Sequence, residues 1–266
     1  MQENPRPIFG YARSVADPEP WQPLMLEVAA CTRLLVMLRI LDYSGHVSVR
    51  VPGRDALVIQ AGKESRAEVS PDDMLVVGFD GTILHGEGKP PSELPIHVEI
   101  LKARPDVQAV LHCHMELAIA FTLMADAALK PMRARAVRWE SGIPTHPDPS
   151  HIKLDEQGRA LAQTLGPHHA ALMRAHGLVL TAESVPALLI DAVHFEENAQ
   201  ALMQVLQAGK TPLPLTAAEL EQINRHEMRE FHIRKLWNYY LRRGGAVGVL
   251  PRHWVAKLLP DDAKKD

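Results

Sequence analysis

The stretch PDVQAVLHCHMELAIA, residues 105–120, sets His112 and His114 two positions apart inside an apolar run. In an extended strand residues i and i+2 share a face, so both imidazoles project to one side and Cys113 to the other. Two neutral imidazoles on one face can bind a divalent ion, and a third ligand completes a catalytic site with an open position. Burying two such groups without partners is costly, which argues against two histidines that only fill a core. Further along, LMRAHGLVL places His176 between an apolar strand and a glycine turn, where a structural turn residue is also common. Upstream, KPPSELPIH places Glu93 at a loop-to-helix junction, where a carboxylate often serves only the helix dipole.

The elements that must position these groups follow from periodicity. QPLMLEVAACTRLLVMLR, from Gln22 to Arg39, is apolar at helical spacing. In the next stretch His46, Ser48 and Arg50 alternate with Val47, Val49 and Val51, the pattern of a strand. PGRD then turns the chain into a second strand, and SPDDMLVVGFDGTIL reads as strand, turn and strand. ELPIHVEILKAR reads as a helix with Pro95 in its first turn, where a missing N–H costs little. VQAVLHCH is a buried strand and MELAIAFTLMADA a helix, followed by a mixed strand and loop region, RAVRWESGIPTHPDPSH. DEQGRALAQTLG is a helix closed by glycine, and HAALMRAHGLVLTA a strand pair turning at His176-Gly177. SVPALLIDAVHFEENAQALMQVLQAG is a long amphipathic helix, residues 215–243 are helical, and GVLPRHWVAKLLPDDAKKD is a tail. The expectation is an α/β fold with a mixed or largely antiparallel sheet. It divides into an N-terminal arm (1–20), a main domain (21–214), and a C-terminal helix and tail (215–266). That last part packs on the domain or on a neighbouring subunit.

Composition narrows the function classes. Of 266 residues, 46% are apolar and 23% charged, which suffices for a sizeable core. A formal charge of −3, with no basic stripe and no zinc-finger spacing, gives no reason to expect nucleic acid. No apolar run reaches the ~18 residues of a membrane span. Two cysteines, Cys31 and Cys113, do not make a disulfide framework. A polar, proline-rich start has no leader pattern, so a soluble cytoplasmic protein is expected. Histidine is the outlier, at 14 residues clustered in the middle of the chain.

Together, SGHVSVR (44–50), SPDDM (70–74), PPSELPIHVEILKARPDVQAVLHCH (90–114) and LMRAHGLVL (172–180) resemble the class II aldolase/adducin family over roughly residues 22–205. The resemblance implies a three-layer α/β/α fold around a central, mainly antiparallel sheet. It also implies a homotetramer with active sites between subunits. His112, His114 and His176 match the family's metal ligands, and Glu93 its acid/base carboxylate. The sequence departs from the sugar-phosphate aldolases in two places. Gly45-His46 stands where they have Gly-Asn, and Pro91-Ser92 where they have Ser-Ser, which weakens a neutral phosphate cradle. GHVSVR looks more like the branch that decarboxylates hydroxylated aromatic or ring-opened dicarboxylates. The epimerase branch carries aspartate at the position of Glu93, so an epimerase ranks low.

The expected protein is therefore a divalent-metal-dependent carbon–carbon lyase. Zn²⁺ is the leading ion for a three-histidine set, with Mn²⁺, Fe²⁺ and Co²⁺ also accepting imidazole. The ion acts as a Lewis acid that stabilises the enolate left by C–C cleavage, while Glu93 moves protons. The first reading is a decarboxylase of a small hydroxylated carboxylic acid. The alternatives are an aldolase on a substrate other than a sugar phosphate, and a non-catalytic adducin-like binding module. His46 is a further catalytic candidate, as proton donor or carboxylate binder. His97, at i+4, is expected to orient Glu93. Ser92, Arg50, Ser48 and Ser70 are candidates for binding the substrate, with a solvated strand face the other reading of Arg50 and Ser48. Tyr239 and Tyr240, in RKLWNYYLRRG, are candidates for completing a neighbouring subunit's site or for packing. His146, His168 and His169 are expected to be solvated loop residues.

Overall fold

The computed structural model describes residues 19–259, so most of the expected N-terminal arm and the last residues of the tail lie outside the described part. Eight strands form one sheet: β1 (His46–Arg50), β2 (Ala56–Gln60), β3 (Met74–Gly78), β4 (Ile83–His85), β5 (Ala109–Cys113), β6 (Thr145–His146), β7 (Ala170–Met173) and β8 (Gly177–Ala182). Their order is β4-β3-β2-β1-β5-β8-β7-β6. Every pairing is antiparallel except that of β6 with β7. Hairpins therefore dominate, as the closely spaced turns require.

The helices are α1 (Gln22–Met37), α2 (Leu94–Ala103), α3 (Glu116–Thr122), α4 (Asp155–Leu165), α5 (Val185–Gln207), α6 (Ala217–Arg225), α7 (Arg229–Ala246) and α8 (Arg252–Leu258). They cover both faces of the sheet, giving three layers. On one face α1, α3 and α5 pack on Val47, Val49, Leu111, Cys113, Leu178 and Leu180, and α7 packs outside them on α1 and α5. On the other, α2 and α4 pack on Leu57, Ile59, Val110 and Val179. Strands buried on both faces read as near-continuous apolar runs, which is how VLHC and GLVL appear. The period of two then sends His46 and Ser48 of β1, and His112 of β5, to the α2 side. In register His46 faces His112 directly.

Three expectations change at the C-terminal end and in the turns. The helical stretch from 215 is broken at 226–228 into α6 and α7. The expected tail contains α8, because Trp254 and Leu258, four residues apart, bury one apolar face. Trp254 packs beneath the guanidinium of Arg33, 4.8 Å from the ring centre. Between β7 and β8 the turn is the three residues Arg174, Ala175 and His176, with Ala175 at φ +54°, so His176 closes the turn.

Candidate metal centre

Four side chains converge where β5, the β7–β8 turn and the start of α2 meet. Glu93, His112, His114 and His176 each offer a ligand atom, and these atoms all lie within 4.8 Å of one another. Each reaches the point for a local reason. His112 is the inward residue of β5 and is fully buried. His114 follows the strand end and keeps the same side. His176 is delivered by the hairpin turn, because Gly177 lies against β5. A Cβ on Gly177 would sit 2.5 Å from the Cys113 carbonyl oxygen and 2.9 Å from the His114 ring. Gly177→Ala should therefore lower stability by about 1–3 kcal/mol and loosen metal binding, read as a lower Tm and faster loss of metal to a chelator. An unchanged Tm and unchanged metal loss would show that the hairpin tolerates the added methyl.

Glu93 occupies the N-cap position of α2, but its side chain makes no capping hydrogen bond. The carboxylate turns instead to the imidazoles. Oε2 is 3.3 Å from His112 Nε2, and Oε1 is 3.4 Å from His176 Nε2. The backbone N–H of Ile152 donates to Oε1 at 3.2 Å. Burial alone would raise the Glu93 carboxyl. Protonated His112 and His176, with the Ile152 N–H, outweigh it and hold Glu93 down to about 2; where the rings are neutral and hold a cation, the cation supplies that positive charge. Glu93 is thus ionised at rest, so it accepts a proton before it can give one back.

The donor set fits one divalent cation. His112 Nδ1–H donates to the Leu178 carbonyl at 3.1 Å, which leaves Nε2 as the lone-pair nitrogen. That Nε2, and both ring nitrogens of His176, are buried without a hydrogen-bond partner among the described residues. His114 Nδ1 is 2.9 Å from Ser44 Oγ, which again frees Nε2. Burial, then the charge of His112, lowers the pKa of both His114, to about 4, and His176. Buried imidazoles with free lone pairs beside a carboxylate carry an unmet demand for positive charge, and a cation meets it.

A cavity of about 710 Å³ opens beside this cluster. Glu93, His46, Ser92, His114 and His176 line it, so the structure brings these candidates together. Ser48 lies behind, buried and in contact with His97. The remaining candidates sit elsewhere. Arg50 is at the far end of β1, where it donates to the carbonyls of Leu101, Arg104 and Val107 and stacks on Phe79. Ser70 caps a short 3₁₀ turn with Asp73. Tyr239 is exposed on α7, and Tyr240 packs against the α1/α5 core. His97 does not bond Glu93. It faces the sheet and contacts His46 and Ser48. The solvated strand face suggested for β1 is in fact covered by α2, and His146 is buried against Thr164 rather than solvated.

The structure adds residues that the sequence pattern did not single out. Arg66, Lys63 and Lys89 line the cavity. His151 approaches Glu93 Oε1 at 3.5 Å. Ser44 positions His114. Only His151, in the histidine- and proline-rich loop THPDPSH, carried a visible signal.

A mainly antiparallel sheet between helix layers carries, at one end, a glutamate and three histidines that make one candidate metal site among the described residues. Residues 26–203 match the model of the Class II Aldolase and Adducin N-terminal domain. The 3,4-dihydroxyphthalate decarboxylase of Rhodococcus jostii (strain RHA1) is 30% identical over 216 residues, covering 76% of this chain and 88% of that one. The 5-methylthioribulose-1-phosphate/5-deoxyribulose-1-phosphate aldolase of Rhodospirillum rubrum is 30% identical, covering 68% of this chain and 79% of its own length. The fold matches the crystal structure of an aldolase II superfamily protein from Pseudomonas syringae, with TM-score 0.74 at 23% identity, over 88% of this chain and 96% of that one. This chain belongs to the class II aldolase/adducin family.

Proposed function

We propose that this chain is a divalent-metal-dependent decarboxylase of a small hydroxylated aromatic or ring-opened dicarboxylic acid. The observation that carries the reading is the charge layout of the cavity. Alongside the metal cluster it holds three cationic side chains, Lys63, Arg66 and Lys89. Arg66 is buried, and its Nε and Nη1 donate to the carbonyls of Gly45, Gly62 and Glu64. Among the described residues no carboxylate pairs with it. Burying a guanidinium is costly: burial lowers its pKa, and the charge of Asp42, which forms no ion pair with it, offsets this only in part. An anionic substrate group offsets that cost. The Rhodococcus relative is named for a diacid, which supports the same reading.

When bound, the divalent ion, Zn²⁺ in our reading, supplies a Lewis acid for charge developing on a substrate oxygen. Arg66 holds the carboxylate that is retained, which aims the other carboxylate into the metal cluster. Glu93 takes the proton of a substrate hydroxyl and returns it to the carbon that carbon dioxide leaves; the product is then an oxyanion, and one proton from water restores its hydroxyl and closes the balance. We infer a cytoplasmic homotetramer with its sites between subunits, in which Tyr239 faces a neighbouring cavity while Tyr240 packs within its own subunit. The exposure of Tyr239 suits that role.

An aldolase is the second reading. The Rhodospirillum relative supports it, and a cationic cavity also suits a phosphate. Against it stand His46 and Pro91, at positions where the sugar-phosphate aldolases hold their phosphate. The non-catalytic module is disfavoured because Glu93 and all three histidines are retained.

The test is carbon dioxide release by metal-loaded protein from 3,4-dihydroxyphthalate and from hydroxylated monoacids. Release from diacids is expected. Arg66→Met should lower kcat/KM for a diacid by about 10- to 100-fold, the worth of a charged hydrogen bond, and affect a monoacid far less. Aldehyde formation from hydroxy-carbonyl substrates, with no carbon dioxide from any acid, would replace the decarboxylase by the aldolase.

A further inference from the structure

Behind the metal cluster lies a second line of buried polar groups that the chemistry above does not use. His46 and Ser48 project from β1 toward α2, and His97 of α2 meets both. His46 Nδ1 is 3.2 Å from His97 Nε2, and His97 Nδ1 is 2.7 Å from Ser48 Oγ. Ser48 and His97 are completely buried, and His46 reaches the edge of the cavity that it lines.

Such a chain can run in only two senses, because each contact carries one hydrogen. In the first, His97 Nδ1–H donates to Ser48, and His46 Nδ1–H donates to His97. The Ser48 hydroxyl hydrogen then has no acceptor, since His97 is its one hydrogen-bond partner among the described residues. In the second, the Ser48 hydroxyl donates to His97 Nδ1, and His97 Nε2–H donates to His46 Nδ1. Every buried donor is then used, and the remaining hydrogen of His46 sits on Nε2. A buried hydroxyl hydrogen left unpaired is disfavoured, so the second sense prevails.

We propose that Ser48 and His97 lock His46 in its Nε2–H form, so that His46 donates a hydrogen bond into the cavity, to the substrate oxygen on which negative charge develops. The target is a carboxylate, phenolate or enolate oxygen. This assignment rests on the reading of the cavity as a lyase site. It separates the two roles the sequence left open for His46. A neutral imidazole N–H holds its hydrogen too tightly to transfer it to carbon, but it polarises and stabilises an oxyanion. His46 is a hydrogen-bond donor to the reacting group, and Ser48 and His97 are positioning residues.

The experiment is nitrogen NMR of zinc-loaded protein labelled with ¹⁵N-histidine, with His46 resonances identified by their loss in His46→Asn. In the wild type and in Ser48→Thr, hydrogen is expected on His46 Nε2 and not on Nδ1. In Ser48→Ala the two forms should mix, with kcat for the decarboxylated acid falling about 10- to 100-fold and KM little changed. His97→Phe should lose kcat in the same way. His97→Gln, whose amide can donate to His46 Nδ1, should recover most of it. Hydrogen on His46 Nδ1 in the wild type overturns the proposal. So does an unchanged His46 form in Ser48→Ala, whatever happens to kcat. The spectra need no substrate, so a failure to find turnover would strike the decarboxylase reading and leave this one to be decided by the nitrogen shifts.

Discussion

Replacing His112 and His114 together by alanine is expected to empty the metal site and to lower turnover by about 10³-fold. The estimate follows from the several kcal/mol of charge stabilisation that a Lewis acid supplies, at a tenfold change per 1.36 kcal/mol. The change removes two of the three imidazoles from a cluster whose ligand atoms lie within 4.8 Å. His176 and Glu93 alone do not make a site that retains a divalent ion through purification. His112 is the more sensitive position. Its Nδ1–H bond to Leu178 fixes the ring, and its side chain is fully buried between β1 and β8. His114 lies past the strand end and is half-buried, so His114→Ala alone should disturb the fold less. Metal analysis of the purified variants, with a thermal melt to confirm folding, reads the outcome. Stoichiometric metal in the folded double variant would remove these histidines from the site.

How much of this was legible before the structure depends on how local each signal was. Glu93, His112, His114 and His176 lie in short motifs whose spacing carries geometry: a two-residue repeat in a strand, a turn, a helix start. The same alternation grouped His46, Ser48 and Arg50 on one face, and the face is right. It could not show that Arg50, four residues along at about 3.3 Å each, is some 13 Å from His46 and belongs to the other end of the sheet. His97 was placed near Glu93 by helical spacing, yet it looks down onto β1, because α2 presents that side to the sheet. Arg66 gave no sign at all. A buried arginine and a solvated one look alike in a loop such as AGKESRAE. Only the fold brings the carbonyls of Gly45 and Gly62 around it. The short helix α8 was missed because only two of its seven residues, Trp254 and Leu258, are buried, which makes a weak period.

Exchanging Glu93 for glutamine should separate metal binding from proton transfer. The amide keeps the size of the side chain and can still accept from the Ile152 N–H, so the loop that carries His151 and Ile152 stays in place. The three imidazoles remain, and metal content should stay close to that of the wild type. What is lost is the basic oxygen. Burial works against the carboxylate, but His112, His176 and the Ile152 N–H hold it down to about 2, so it is ionised throughout the neutral range. An amide cannot take up the substrate proton in that role, and kcat should fall by about 10²- to 10⁴-fold, the usual contribution of a positioned acid–base group. KM should move little, since Arg66 rather than Glu93 holds the substrate. Steady-state kinetics on a variant of proven metal content decide the matter. Normal turnover would end the acid–base role of Glu93, and loss of both metal and turnover would make Glu93 a ligand first, moving the search for the base to His151, 3.5 Å away.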